Sequence, residues 1–158
     1  MAPLLKVLVA LDNSENAARA AEYLSKNFTP EHEVTLFSVL PDTQAICNLE
    51  SPELTPYFLS QRNVFCSLED KKKELVEAAV DRAKDLLLKA GFKNEKITVK
   101  VQAKKKGIAR DIVAEAESGY DTIVMGRRGL SGIKEFMMGS VSQKVLHSVK
   151  DVSIVIVS

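Results

Sequence analysis

Gly126, Gly129, Gly132 and Gly139 fall within one short stretch, MGRRGLSGIKEFMMGSVSQKVL, which then continues with the spacing of a helix. Glycine weakens a regular element from within, so the cluster points to chemistry of the main chain. At Gly126 and Gly129 a side chain would stand between the backbone and a ligand. Gly139 and Ser140 open the helix. A helix start offers unpaired N–H groups and a partial positive charge, a setting that suits phosphate. The Ser140 and Ser142 hydroxyls can add donors, and Arg127, Arg128 and Lys134 add charge. The alternative is a plain glycine loop with Ser140 as helix cap. Asp12, at the end of the first apolar run, also has two readings: cap of the following helix, or a group facing a nucleotide. The stretch is neither G-x-x-x-x-G-K-[ST] nor a G-x-G-x-x-G fingerprint after the first strand.

The elements that must hold these residues alternate. Residues 4–11 (LLKVLVAL) form a nearly continuous apolar run, as in a strand buried on both faces. Ala17, Ala18, Ala21, Leu24 and Phe28 follow helical spacing, with Ser14 as candidate N-cap and Thr29-Pro30 as the stop. Strands are predicted at 33–40, 96–101, 122–125 and 152–157, and helices at 68–90, 107–118 and 139–149. Gly91 suits the position after a helix end. The order β-α-β-α-β-α-β-α-β implies right-handed crossovers and a single α/β domain over 1–158: an open, mainly parallel five-stranded sheet, Rossmann-like, with helices on both faces. Ligands of such sheets bind beyond the carboxyl ends of the strands. Residues 41–67 resist assignment. Ser51-Pro52-Glu53 is a candidate helix start, and lid, partner surface and plain excursion are the alternatives.

Bulk properties narrow the classes. The 158 residues carry a net charge of +1, with 46% apolar and 27% charged residues. No global field draws nucleic acid, and the Lys71–Lys73 and Lys104–Lys106 runs read as solvated surface. No apolar run is long enough for a membrane span, and the N-terminus does not read as a signal peptide. Cys47 and Cys66 match neither C-x-x-C nor a zinc pattern, so reduced thiols in a cytoplasmic protein are expected. A protein-built metal cage is not expected, although Mg²⁺ held mainly by phosphates needs none.

Gly126, two residues, Gly129, nine residues and Gly139-Ser140 match G-x2-G-x9-G-[S/T], and the chain thereby resembles the ATP-binding subgroup of the universal stress protein family. YDTIVMGRRGLSGIKEFMMGSVSQKVL is similar to that family's fourth strand, loop and last helix. KVLVALDNSENAARA is similar to its first strand, aspartate turn and first helix. The resemblance spans the chain apart from 41–67. It implies a sheet ordered 3-2-1-4-5 and a site for ATP or another adenine nucleotide, accompanied by Mg²⁺ or Mn²⁺. Asp12 would approach adenine or ribose, Val39 would offer backbone to adenine, and Met125 and Gly126 would line the ribose. Gly129, Gly139, Ser140 and Val141 would hold the phosphates. It also implies a homodimer through the apolar edge Val152–Val157. Arg127 departs from the small residue common there, and Ser153 replaces a frequent proline, so the last strand is expected to start or pair differently. The functional expectation is a nucleotide-dependent stress-response module with an unknown protein partner. The alternatives are a slow ATPase or phosphotransferase, with Asp12 and Glu135 as nearby carboxylates, and a dimeric interaction protein without nucleotide.

Overall fold

The computed structural model describes residues 3–11, 15–127 and 139–158, without the side chains of 15–17. Asp12, Ser14, Arg128, Gly129, Gly132, Lys134 and Glu135 lie outside the described residues. Five strands form one sheet: β1 (Lys6–Ala10), β2 (Glu33–Leu40), β3 (Ile97–Ala103), β4 (Thr122–Gly126) and β5 (Ser153–Val157), in the order β3-β2-β1-β4-β5. Every pairing is parallel, and β1 matches Val7 with Val34 on one side and Thr122 on the other. This is the order that the family resemblance implies.

β1 is apolar on both faces because helices cover both. Val7, Val9 and Leu11 enter one core with Ala20, Ala21 and Leu24 of α1 (Glu15–Asn27) and Val76, Val80, Ala83 and Leu87 of α3 (Pro56–Lys89). Leu8 and Ala10 enter the other, with Ala109, Ile112 and Ala116 of α4 (Ile108–Ala116) and Val145 of α5 (Ser140–Ser148). Val7, Leu8 and Val9 are fully buried, and each stabilises the fold by about 1.5–3 kcal/mol relative to exposure.

Three expectations are corrected. Residues 41–67 are not a structureless excursion: α2 (Gln44–Cys47) is followed by a helix of 34 residues that starts at Pro56, twelve positions before the expected start. The start signal is Thr55-Pro56 and not Ser51-Pro52. The Thr55 hydroxyl accepts from the Phe58 N–H at 3.2 Å, and Pro56 takes a first-turn position where its missing N–H costs nothing. Second, Cys47 and Cys66 form a disulfide and are not free thiols. The early helix start runs α3 back beside α2 and brings the two Cα atoms within 6.0 Å, inside disulfide reach. Third, Ser153 does not displace the last strand: β5 begins there and pairs with Thr122 in ordinary parallel register.

The far end of α3 behaves as its sequence predicts. Gly91 has φ +104°, the Phe92 N–H donates to the Leu87 carbonyl and the Gly91 N–H to the Leu88 carbonyl. This double closure satisfies the last carbonyls and buries Phe92 against the core.

Candidate functional site

The carboxyl end of β4 meets the start of α5, and Ala10 of β1 belongs to the apolar cluster against which Val39 of β2 and Val141 of α5 pack. β4 ends at Met125-Gly126, and the next residue, Arg127, is tied on both sides. Its N–H donates to the Val157 carbonyl at 2.8 Å, and its carbonyl accepts from the Gly139 N–H at 2.8 Å. The chain therefore leaves the sheet at Arg127 and returns to the same point at Gly139. A third bond closes the bracket: the buried Ser142 hydroxyl donates to the Gly126 carbonyl at 2.7 Å. Its proton, which the sequence offers to a phosphate, is used to brace strand against helix.

α5 begins with Gly139 at the N-cap, which offers no side chain to the first amides, and its first turn holds no acidic residue. By helix geometry the amides of Ser140, Val141 and Ser142 have no acceptor within the helix. Ser140 is exposed and Gly139 buried. Gly139 has φ −63° and ψ 154°, a conformation open to any residue. Backbone strain therefore does not explain glycine here. Among the described residues the α5 start has no side-chain cap and no acidic residue in its first turn, an arrangement that fits an anionic tail and the divalent cation it would carry.

Val39 and Val141 pack against the cluster that contains Met125, Ala10 and Phe37, so an apolar floor lies beside the α5 start. Next to it, the Leu11 N–H donates to the Phe37 carbonyl and the Leu11 carbonyl accepts from the buried Ser38 hydroxyl, both at 2.8 Å. These bonds fix the chain immediately before Asp12. The structure thus brings together Val39, Met125, Gly126, Arg127, Gly139, Ser140, Val141 and Ser142; Asp12 and Gly129 lie outside the described residues.

Two bracing groups escaped the sequence reading. Ser38 sits in an apolar strand, and that contrast was its signal. Asp111 interrupts the apolar face of α4 and is buried, accepting from the Lys105 and Lys106 N–H groups at 2.7 and 3.1 Å. Burial pushes its carboxyl up, but the amides of Lys105, Lys106 and Gly107 outweigh that and hold it below the usual range. It clamps the Lys104–Lys106 loop, whose Lys104 N–H donates to the Leu40 carbonyl at the same carboxyl edge.

Among the described residues no helix is long and apolar enough to cross a membrane.

Comparison with known proteins gives a consistent result. The sequence profile of the universal stress protein family matches residues 4–157. Universal stress protein YxiE of Bacillus subtilis is 29% identical over 141 residues, covering 89% of this chain and 90% of that protein. Among solved structures, the hypothetical protein MJ0577 superposes with a TM-score of 0.67 at 25% identity, over 97% of this chain and 94% of that one. Universal stress protein UspA from Lactobacillus plantarum gives 0.70 at 18% identity over the whole of both chains. A universal stress protein in complex with cAMP gives 0.63 at 19% identity, over 99% of this chain and 98% of that one.

Proposed function

The chain belongs to the universal stress protein family, and from that premise we propose that it binds an adenine nucleotide, ATP with Mg²⁺ or Mn²⁺, at the carboxyl edge of the sheet. The observation that carries the reading is the Arg127–Gly139 closure, which delivers an uncapped helix start to the end of β4. The amides of Ser140 and Val141 and the exposed Ser140 hydroxyl would receive phosphate oxygens. Arg127 adds positive charge at the same point, and the base and ribose would lie along Met125, Gly126 and Val39. The bound cation would neutralise phosphate charge. A related structure is a complex with cAMP, itself an adenine nucleotide.

Nucleotide occupancy would then act as a signal, because a ligand shifts a conformational equilibrium by its differential affinity for the two states. The reader would be a protein partner. β5, an edge strand with β4 as its strand neighbour, would pair with its counterpart in a homodimer and remove an exposed edge. The cytoplasm is the compartment that goes with this reading. There the Cys47–Cys66 bond would face a reducing thiol pool, and thiol labelling of freshly lysed cells reports its state.

Native mass spectrometry of the purified protein tests the ligand class, with a retained adenine nucleotide as the expected result. Titration of the Asp12→Ala variant with adenosine and with ATP tests the base end of the site. Both affinities should fall, and unchanged values for both would remove Asp12.

A further inference from the structure

α3 is two helices in one. Its 34 residues span about 51 Å, whereas the eight residues of β2 span about 26 Å. Its buried residues, Val76, Val80, Ala83 and Leu87, all lie in the second half. Because α3 returns between the parallel strands β2 and β3, residues 56–75 project past the carboxyl edge of the sheet.

The projecting half carries a second apolar line that the fold does not use. Tyr57, Val64, Leu68 and Leu75 are 76%, 57%, 57% and 47% exposed. At about 100° per residue they fall within roughly 40° of one another around the axis, and about 110° away from the core-facing residues. The opposite side of the same half is occupied: Cys66 is bonded to Cys47, and the Arg62 guanidinium donates to the Leu49 carbonyl. The disulfide therefore holds α2 on one side of α3 and leaves the Tyr57–Leu75 line facing outward.

We propose that this line docks a second copy of the chain, with the two α3 helices antiparallel about Cys66. The spacing 57-64-68-75 reads the same in both directions, so an antiparallel copy meets it in register. Tyr57 faces Leu75 of the second copy, and Val64 faces Leu68. Charge selects the same direction. A parallel pair would set Lys71, about 40° from the line, against its own counterpart, whereas the antiparallel pair sets it against Gln61. The contact would bury on the order of 1,000 Å² in total, at the low end for specific interfaces, so it is reversible. The packed half of α3 lies on β2 and β3, and β5 is at the opposite edge of the sheet, so the projecting line does not compete with pairing there.

Sedimentation velocity across a concentration series tests this, using the whole oxidised protein. Leu68→Glu should remove one doubling step, from dimer to monomer, or from tetramer to dimer if β5 also pairs. Circular dichroism should keep its helical signal, because Leu68 is exposed. Gln61→Glu should tighten the same step about threefold at low salt by facing Lys71 of the second copy, and lose that gain at high salt. A series unchanged by Leu68→Glu, a wild type that stays monomeric to about 200 μM, or a Gln61→Glu variant that associates more weakly would overturn the proposal. The last result would mark a parallel pair, and the first would leave the line to a different occupant.

Discussion

The two ends of the sheet solve the same problem differently. At the amino end, strand starts are tied by polar and charged side chains. The Lys6 N–H donates to Asp121 Oδ2 at 2.8 Å, and the Leu5 N–H donates to His32 Nδ1 at 2.9 Å. Backbone bonds from Glu33 to Leu5, Asp121 to Lys6 and Ser153 to Asp121 complete that edge. At the carboxyl ends of β1 and β4, hydroxyls and main chain do the tying: Ser38 to Leu11, Ser142 to Gly126, Gly139 to Arg127. Each end uses a carboxylate, Asp121 on the Lys6 N–H at the amino end and Asp111 on the Lys105 and Lys106 N–H groups at the carboxyl end. The carboxyl end holds Arg127 and the Lys104–Lys106 loop and starts α5 without an acidic residue in its first turn. One end is organised for stability. The other has an α5 start with, among the described residues, no side-chain cap and no acidic residue in its first turn, the feature on which the proposed anion site rests.

Substitutions at the two ends should therefore separate binding from folding. Gly139→Val should have the largest effect, a loss of ATP affinity of about a hundredfold or more. Its fold should persist, since φ −63° suits valine; calorimetric titration alongside circular dichroism reads both. Asp121→Ala should do the reverse. It removes a charged acceptor from the Lys6 N–H, costs about 1.5 kcal/mol in urea unfolding, and leaves ATP affinity unchanged. Ser142→Ala belongs to both classes, because its hydroxyl braces Gly126. It should cost about 1 kcal/mol of stability and weaken ATP severalfold by loosening the bracket.

The smallest effect concerns acid. Asp111 has a depressed native pKa because backbone amides outweigh the upward push of burial. Its stabilisation is fully present above the unfolded carboxylate value, near 4, and is lost as pH falls through the lower native value. The urea midpoints of wild type and Asp111→Asn should therefore differ at pH 7 and converge as the solution is acidified through that window. A constant gap would contradict the clamp on the Lys104–Lys106 loop.

The contrast between the ends also marks what the sequence could reveal. Strands of a parallel sheet, covered on both faces, write themselves as apolar runs such as VLVAL and TIVM, so the strands and their approximate bounds were legible, while their order in the sheet rested on the family resemblance. The glycine spacing was legible because main-chain chemistry needs missing side chains. The first half of α3 was not, because a helix that projects from its domain has no core-facing period to detect, and Tyr57, Phe58 and Phe65 gave no stripe against a known surface. The Cys47–Cys66 bond followed from that same helix and was hidden with it. The Ser142–Gly126 bond joins residues 16 apart in sequence, and no local pattern distinguishes a hydroxyl that braces from one that waits for phosphate.

The most direct test is isothermal titration of the wild-type chain with ATP in the presence of Mg²⁺, repeated with adenosine. The account predicts saturable binding of ATP at one site per chain, with adenosine weaker because it lacks the tail that the Ser140 and Val141 amides would hold. A flat ATP trace, or equal affinity for the two ligands, would contradict it.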